Sequence, residues 1–225
     1  MKQLLKKILK SLPADTRSRQ YDGRFKKVIA EVCSRDSNCI DIGAHKGAVL
    51  DIMLKYAPQG KHHAFEPIPA LYEVLIRKYA ANRNCLVHSC ALSNVKGTTT
   101  FQVEVPGAID NNMEKHDETI EVQTEVLDNI LPADYKPGLV TIDAAGSVLQ
   151  VLEGATRTLK EHKPVVIFHY KPVSADPGKI YELFNSCTMR ISTMQRWLNN
   201  RPCLNKDEFA QHYHQKKDYC FIAYP

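Results

Sequence analysis

The sequence predicts an α/β fold built on a largely parallel sheet with helices on both faces. Three observations predict it. Short apolar runs alternate with segments of helical spacing, the connections between successive runs are long enough for crossovers, and glycine and proline mark the junctions. A chain of 225 residues with 44% hydrophobic content can bury one core of ordinary size. The organisation read from this is an N-terminal helical segment over 1–36 and one Rossmann-like domain over 37–225.

The elements follow in order. MKQLLKKILKSL places Met1, Leu4, Leu5, Ile8, Leu9 and Leu12 on one helical face and Lys2, Lys6, Lys7 and Lys10 elsewhere, an amphipathic helix. Such a face suits packing on the domain, and it also suits peripheral contact with an anionic membrane surface. NCIDIG (Asn38 to Gly43) reads as a buried strand entering a glycine turn. Ala48 to Tyr56 has helical spacing that Pro58 and Gly60 stop. HHAFEP (His62 to Pro67) is a second strand, and Pro69 to Ala81 a helix with proline in its first turn. CLVHSCALS (Cys85 to Ser93) is a third strand. Thr98 to Val105 and Thr119 to Leu127 read as extended segments around a polar loop. GLVTIDAAG (Gly138 to Gly146) and PVVIFHY (Pro164 to Tyr170) are further core strands, separated by a helix in one or two pieces over Ser147 to Glu161. Asp176 to Ser186 reads as a helix, Met189 to Met194 as a strand, KDEFAQHY as helical, and DYCFIAYP as a last strand.

Composition excludes several classes. Charged residues make up 24% of the chain with both signs interspersed, and a net charge of +5 does not call for a nucleic-acid partner. No apolar run approaches the roughly twenty residues of a membrane span, and none resembles a signal peptide, so the expected location is cytoplasmic. The seven cysteines are scattered without a CxxC pair, which reads as reduced thiols rather than a zinc or redox motif. His62 and His63 are adjacent on a strand and point to opposite faces, and His212 and His214 lack a carboxylate at ligand spacing; no metal site is expected.

The strongest local signal is CIDIGAHKG. Gly43 and Gly47 let the backbone turn sharply and approach a ligand closely. Glu66 ends the next strand, where an acid accepts hydrogen bonds from the two ribose hydroxyls of a nucleotide-like cofactor. A dinucleotide site wants GxGxxG, whereas this chain offers Gly43, Ala44, His45, Lys46, Gly47. The middle glycine, which admits pyrophosphate to the helix terminus, is missing, which counts against an NAD-dependent oxidoreductase.

The chain resembles the FkbM-type methyltransferases in DIGAHKG, FEP, Leu127-Asp128, TIDAAGSVLQVLEGA (Thr141 to Ala155) and DYCFIAYP, over roughly Asn38 to Pro225. The resemblance implies a Rossmann-like class I methyltransferase fold, with a mostly parallel seven-stranded sheet and an antiparallel C-terminal strand. It also implies S-adenosyl-L-methionine as cofactor and a hydroxyl of a sugar, glycan or other small molecule as acceptor. By the same carry-over Asp41, Gly43, Ala44 and Gly47 line the methionine side, Glu66 holds the ribose and Ala91 or Leu92 borders the adenine. His45, Pro67 and Asp143 are counted with them as cofactor-binding residues. Where the family has Lys, Glu and a second Glu, this chain has Thr141, Ala145 and Val148, and His169 stands where a Glu is frequent. Asp143 and His169 are therefore the candidates for the base that deprotonates the acceptor. The altered motif also fits a cofactor-binding homologue that is catalytically silent.

Overall fold

The computed structural model describes residues 23–106, 115–144, 146–169, 176–215 and 220–225. The amphipathic segment over 1–12, most of the polar loop 107–118 with the side chains of His116 and Asp117, Ala145, and residues 170–175 lie outside them.

The seven-stranded sheet comprises β1 (Asn38–Ile42), β2 (His62–Phe65), β3 (Cys85–His88), β7 (Pro137–Ile142), β8 (Val165–His169), β9 (Arg190–Thr193) and β10 (Cys220–Tyr224), in the order β3-β2-β1-β7-β8-β10-β9. The first five in that order pair in parallel, and β10 runs antiparallel to both neighbours. The sequence pattern predicts the largely parallel sheet, and the family resemblance implies its antiparallel C-terminal strand.

Side chains alternate across each strand, so the sheet has two apolar faces. Ile40, Ile42, Val140, Ile142, Val166, Phe168 and Phe221 face one way, against α5 (Val148–Glu153), α6 (Thr156–His162), α7 (Pro177–Ser186) and α9 (Lys206–Gln215). Cys39, Leu139, Ile167 and Ile222 face the other, against α1 (Gly23–Val32), α2 (Ala48–Tyr56), α3 (Pro69–Tyr79) and α8 (Met194–Leu198). Coverage of both faces is what makes these strands read as continuous apolar runs. The helix over 147–161 occurs in two pieces, broken at Gly154, where an added Cβ would stand 2.2 Å from the Ser93 carbonyl oxygen. Helix α9 runs through Gln215, so His212 and His214 are two apart on a helix and cannot share a face. Among the described residues no helix is long and apolar enough to cross a membrane.

The segments expected to be extended around the polar loop form a hairpin, β5 (Gly97–Pro106) with β6 (Lys115–Glu125), and β4 (Ala91–Leu92) joins β6 in parallel to complete a three-stranded sheet. Phe101, Val103 and Ile120 pack on Ile68 and Ala70, which sets the hairpin against the start of α3 and hence near the carboxyl end of β2.

Asp128, in the short helix α4 (Leu127–Ile130), performs a structural task. Its carboxylate accepts from the amides of Arg157 and Thr158 and from the Thr158 hydroxyl at 2.6 to 3.1 Å, and so caps α6 from a distance in sequence. Leu127 beside it is buried. Asp128→Ala is expected to cost about 1 kcal/mol, read as a lower thermal midpoint, while cofactor affinity stays unchanged.

Candidate functional site

Strand β1 ends at Ile42, and the next two amides, of Gly43 and Ala44, both donate to the Phe65 carbonyl at 2.9 and 3.1 Å. The turn is thereby pinned across β2. The amide of Asp143 donates to the Ile42 carbonyl at 2.8 Å, which brings the carboxyl end of β7 to the same place. Gly43 has φ +81°, and a Cβ there would lie 2.3 Å from the Asp143 carbonyl oxygen. A glycine here is expected to let the chain approach a ligand. The close approach found at Gly43 is to the protein's own backbone.

Beyond it, the amide of His45, at φ 51°, donates to Glu66 Oε2 at 2.8 Å, and the Ile68 amide donates to Oε1 at 2.9 Å. Glu66 is 3% exposed. A carboxylate oxygen can accept more than one hydrogen bond, so a group that shapes the turn in this way has the chemistry to accept from hydroxyls. Pro67, partly buried, leads from it towards α3. Tyr79 completes the turn from below, with its hydroxyl 2.9 Å from the Gly47 carbonyl and 2.8 Å from Asp51 Oδ1. The sequence reading missed Tyr79. The available signal was its place in the register Leu71, Leu75, Tyr79, where a phenol ends a buried apolar stripe and its hydroxyl needs a partner.

Asp41 projects from β1 beneath this turn and is 3% exposed. Its Oδ1 accepts from the Thr141 hydroxyl at 2.7 Å, and its Oδ2 has no hydrogen-bond partner. Burial pushes this carboxyl up to about 7, and the charges of Asp143 and Glu66 push the same way; the Thr141 hydroxyl and the Leu50 amide oppose them. Thr141 thus occupies the position of the family's lysine as a neutral donor to Asp41. Val148, where the family carries a second carboxylate, is a core side chain of α5.

Asp143 and His169 come together at the carboxyl ends of adjacent strands, with Asp143 Oδ2 3.9 Å from His169 Nδ1 and both side chains about one-seventh exposed or less. Leu92 is buried in the core and Ala91 lies at its margin, both on β4. His62 and His63 diverge as expected, His62 bonding the Ala57 carbonyl at 2.8 Å and His63 meeting His88 at 3.0 Å. Among the described residues no group of three or more His, Cys, Asp or Glu is placed to hold a metal.

Asp41, Glu66 and Asp143 therefore converge on one glycine turn at the carboxyl edge of a parallel sheet, where ligands of such folds bind. An orphaned buried carboxylate oxygen flanked by two further acids suits a cationic ligand better than a phosphate. A sulfonium nucleoside with a free amino group, a cation with no phosphate, fits such a set of acids.

The Methyltransferase FkbM domain model matches residues 41–191. A crystal structure of methyltransferase FkbM from Methylobacillus flagellatus aligns with a TM-score of 0.53 at 18% identity, over 99% of this chain and 57% of that one. The chain thus spans little more than half of that protein's length. Precorrin-6y C5,15-methyltransferase from Geobacter metallireducens aligns with a TM-score of 0.46 at 17% identity, over 74% of this chain and 72% of the other. No curated protein sequence matches. The match of the family model across both the glycine turn and the β7–α5 motif settles the affiliation: the chain belongs to the FkbM methyltransferase family.

Proposed function

We propose that the chain binds S-adenosyl-L-methionine and transfers its methyl group to a hydroxyl oxygen of a sugar or glycan. The observation that carries this reading is the Asp143 and His169 pair, 3.9 Å apart beside the glycine turn. When bound, S-adenosyl-L-methionine supplies an electrophilic methyl on a sulfonium, so that an oxygen attacking in line needs correct placement and somewhere to send its proton. His169 Nδ1 is the acceptor for that proton. The carboxylate of Asp143, too far for a direct hydrogen bond yet close enough for Coulombic attraction, stabilises the imidazolium that results. Glu66 orients the turn through the His45 and Ile68 amides, and Tyr79 fixes the turn's far end at Gly47.

The test has two stages. Calorimetry with S-adenosyl-L-methionine and its demethylated product is expected to show one site per chain, and absence of both signals overturns the reading at its root. Label from methyl-labelled cofactor is then expected to appear on a member of a glycan panel. His169→Ala is expected to lower kcat by about 10² or more with cofactor affinity held within a few-fold, and Asp143→Asn to lower kcat by a similar factor while also weakening cofactor binding. A second reading, a binding-competent but silent homologue, is favoured by Thr141 and Val148, which replace charged residues of the family's motif. It predicts the calorimetric signal without label transfer to any acceptor.

A further inference from the structure

We propose that Cys33 and Cys39 form a redox-active dithiol that closes into a disulfide when a peroxide oxidises the protein. Their sulfurs lie 3.8 Å apart, in contact across the turn between α1 and β1. The turn holds them there. The Ser37 hydroxyl accepts from the Ser34 amide at 2.9 Å, the two serine hydroxyls meet at 2.9 Å, the Ser34 hydroxyl donates to Asp36 Oδ1 at 2.7 Å, and the Ser37 amide donates to the Ser34 carbonyl at 3.1 Å. Closure needs the sulfurs to move to about 2.05 Å, a shift within reach of side-chain rotation and slight settling of the helix end.

The two thiols are unequal in the way such pairs require. Cys39 is fully buried, whereas Cys33 is half-buried at the end of α1 and open to a small oxidant. The contact between the two thiols holds Cys33 below the usual thiol range, and that same contact together with burial holds Cys39 above it. Cys85 and Cys90, by contrast, are pushed up to about 11 by burial. His62 stands opposite Cys39 in the β1–β2 register. Its Nε2 faces the Ala57 carbonyl, which only accepts, so the proton resides on Nε2; its Nδ1 is buried with no partner. That lone pair is a proton acceptor in the same layer as the Cys39 thiol.

The chemistry balances in two steps. The Cys33 thiolate attacks one peroxide oxygen, the O–O bond breaks, and the released hydroxide leaves as water after taking a proton, with Cys33 now a sulfenic acid. Cys39 sulfur then attacks Cys33 sulfur and displaces hydroxide, which leaves as a second water with the proton of the Cys39 thiol. Two thiols lose two electrons to one peroxide, and a dithiol reductant reverses the change. The resulting bond ties α1 to β1 at the amino end of the strand, while the glycine turn occupies its carboxyl end. The inference is therefore independent of the acceptor and of catalysis.

Arg35 lies between the two cysteines, so trypsin places them on separate peptides, 28–35 and 36–46. The folded chain is treated with hydrogen peroxide, blocked with an alkylating agent, digested without reductant and weighed. A cross-linked pair of these two peptides is expected in the greater part of the protein, lost after dithiothreitol, and absent in Cys39→Ser, where Cys33 instead proceeds to higher oxides. Unlinked Cys33, or links distributed among other cysteines as in a urea-unfolded control, overturns the proposal. The wild-type result decides it even if the variant folds poorly.

Discussion

Gly43→Ala is expected to leave little folded protein at ambient temperature. Two penalties combine at one atom: the residue adopts φ +81°, and its new Cβ meets the Asp143 carbonyl oxygen at 2.3 Å. That oxygen is backbone at the end of β7, a central strand, and the Asp143 amide is already committed to Ile42, so it cannot withdraw without opening the β1–β7 pairing. The conformational term alone costs about 1–3 kcal/mol, and displacement of a central strand adds a similar amount, together a large part of the stability of an ordinary domain. Gly97→Ala is the control, because its Cβ would meet nothing nearer than the Thr124 hydroxyl at 3.7 Å. Circular dichroism melts of the two variants check this. Equal midpoints would show that the turn yields more easily than its hydrogen bonds indicate.

The effect of Asp41→Asn on stability is expected to grow with pH. The native carboxyl, buried first of all and facing Asp143 and Glu66, titrates near 7 against an ordinary value of 3.8. A raised carboxyl means that the folded protein holds the proton more tightly than the unfolded chain. The stability that this proton confers is complete below about pH 4 and is lost as pH rises to about 7. The shift corresponds to roughly 4 kcal/mol at most. Asn cannot ionise, and its side-chain oxygen keeps the Thr141 hydrogen bond. Relative to the native protein, the variant should therefore gain about 2–4 kcal/mol between pH 4.5 and pH 8 in denaturant titrations. Cofactor affinity should move the other way. A cationic ligand favours ionised Asp41, so native affinity should rise from pH 6 to pH 8, whereas the variant should bind about tenfold more weakly with no such slope. A pH-independent native affinity would show that Asp41 remains neutral beneath the ligand.

Most of the architecture was legible because burial on both sheet faces writes itself as apolar runs between helical spacings. NCIDIG, HHAFEP, GLVTIDAAG, PVVIFHY and DYCFIAYP each became strands close to their read limits. The hairpin of β5 and β6 was legible as extended segments but not as a separate sheet, since period-two alternation does not say which partner a strand takes. In the site, Asp143 and His169 are both legible as candidate bases, and the structure brings them together at adjacent strand ends. What stayed hidden were contacts that depend on register across the sheet. Thr141 reaching Asp41, Tyr79 reaching Gly47 and His63 meeting His88 join residues 25 to 100 positions apart that no local pattern connects. Gly43 was identified correctly and for an incomplete reason, because a glycine signals crowding without naming what crowds it.

Strand β10 has a consequence for how the molecule assembles. It lies between β8 and β9, and β9 reaches the sheet through it. The β8–β10 pairing joins His169 to Cys220 and Val166 to Ala223, contacts of long sequence separation whose loop-closure entropy must be met before any reward is collected. Strand β9 pairs with the sheet through β10, so its place depends on β10 lying beside β8. A weakened β10 would release β9, with α8 after it, as one cooperative unit, leaving the ligand-binding half of the sheet standing.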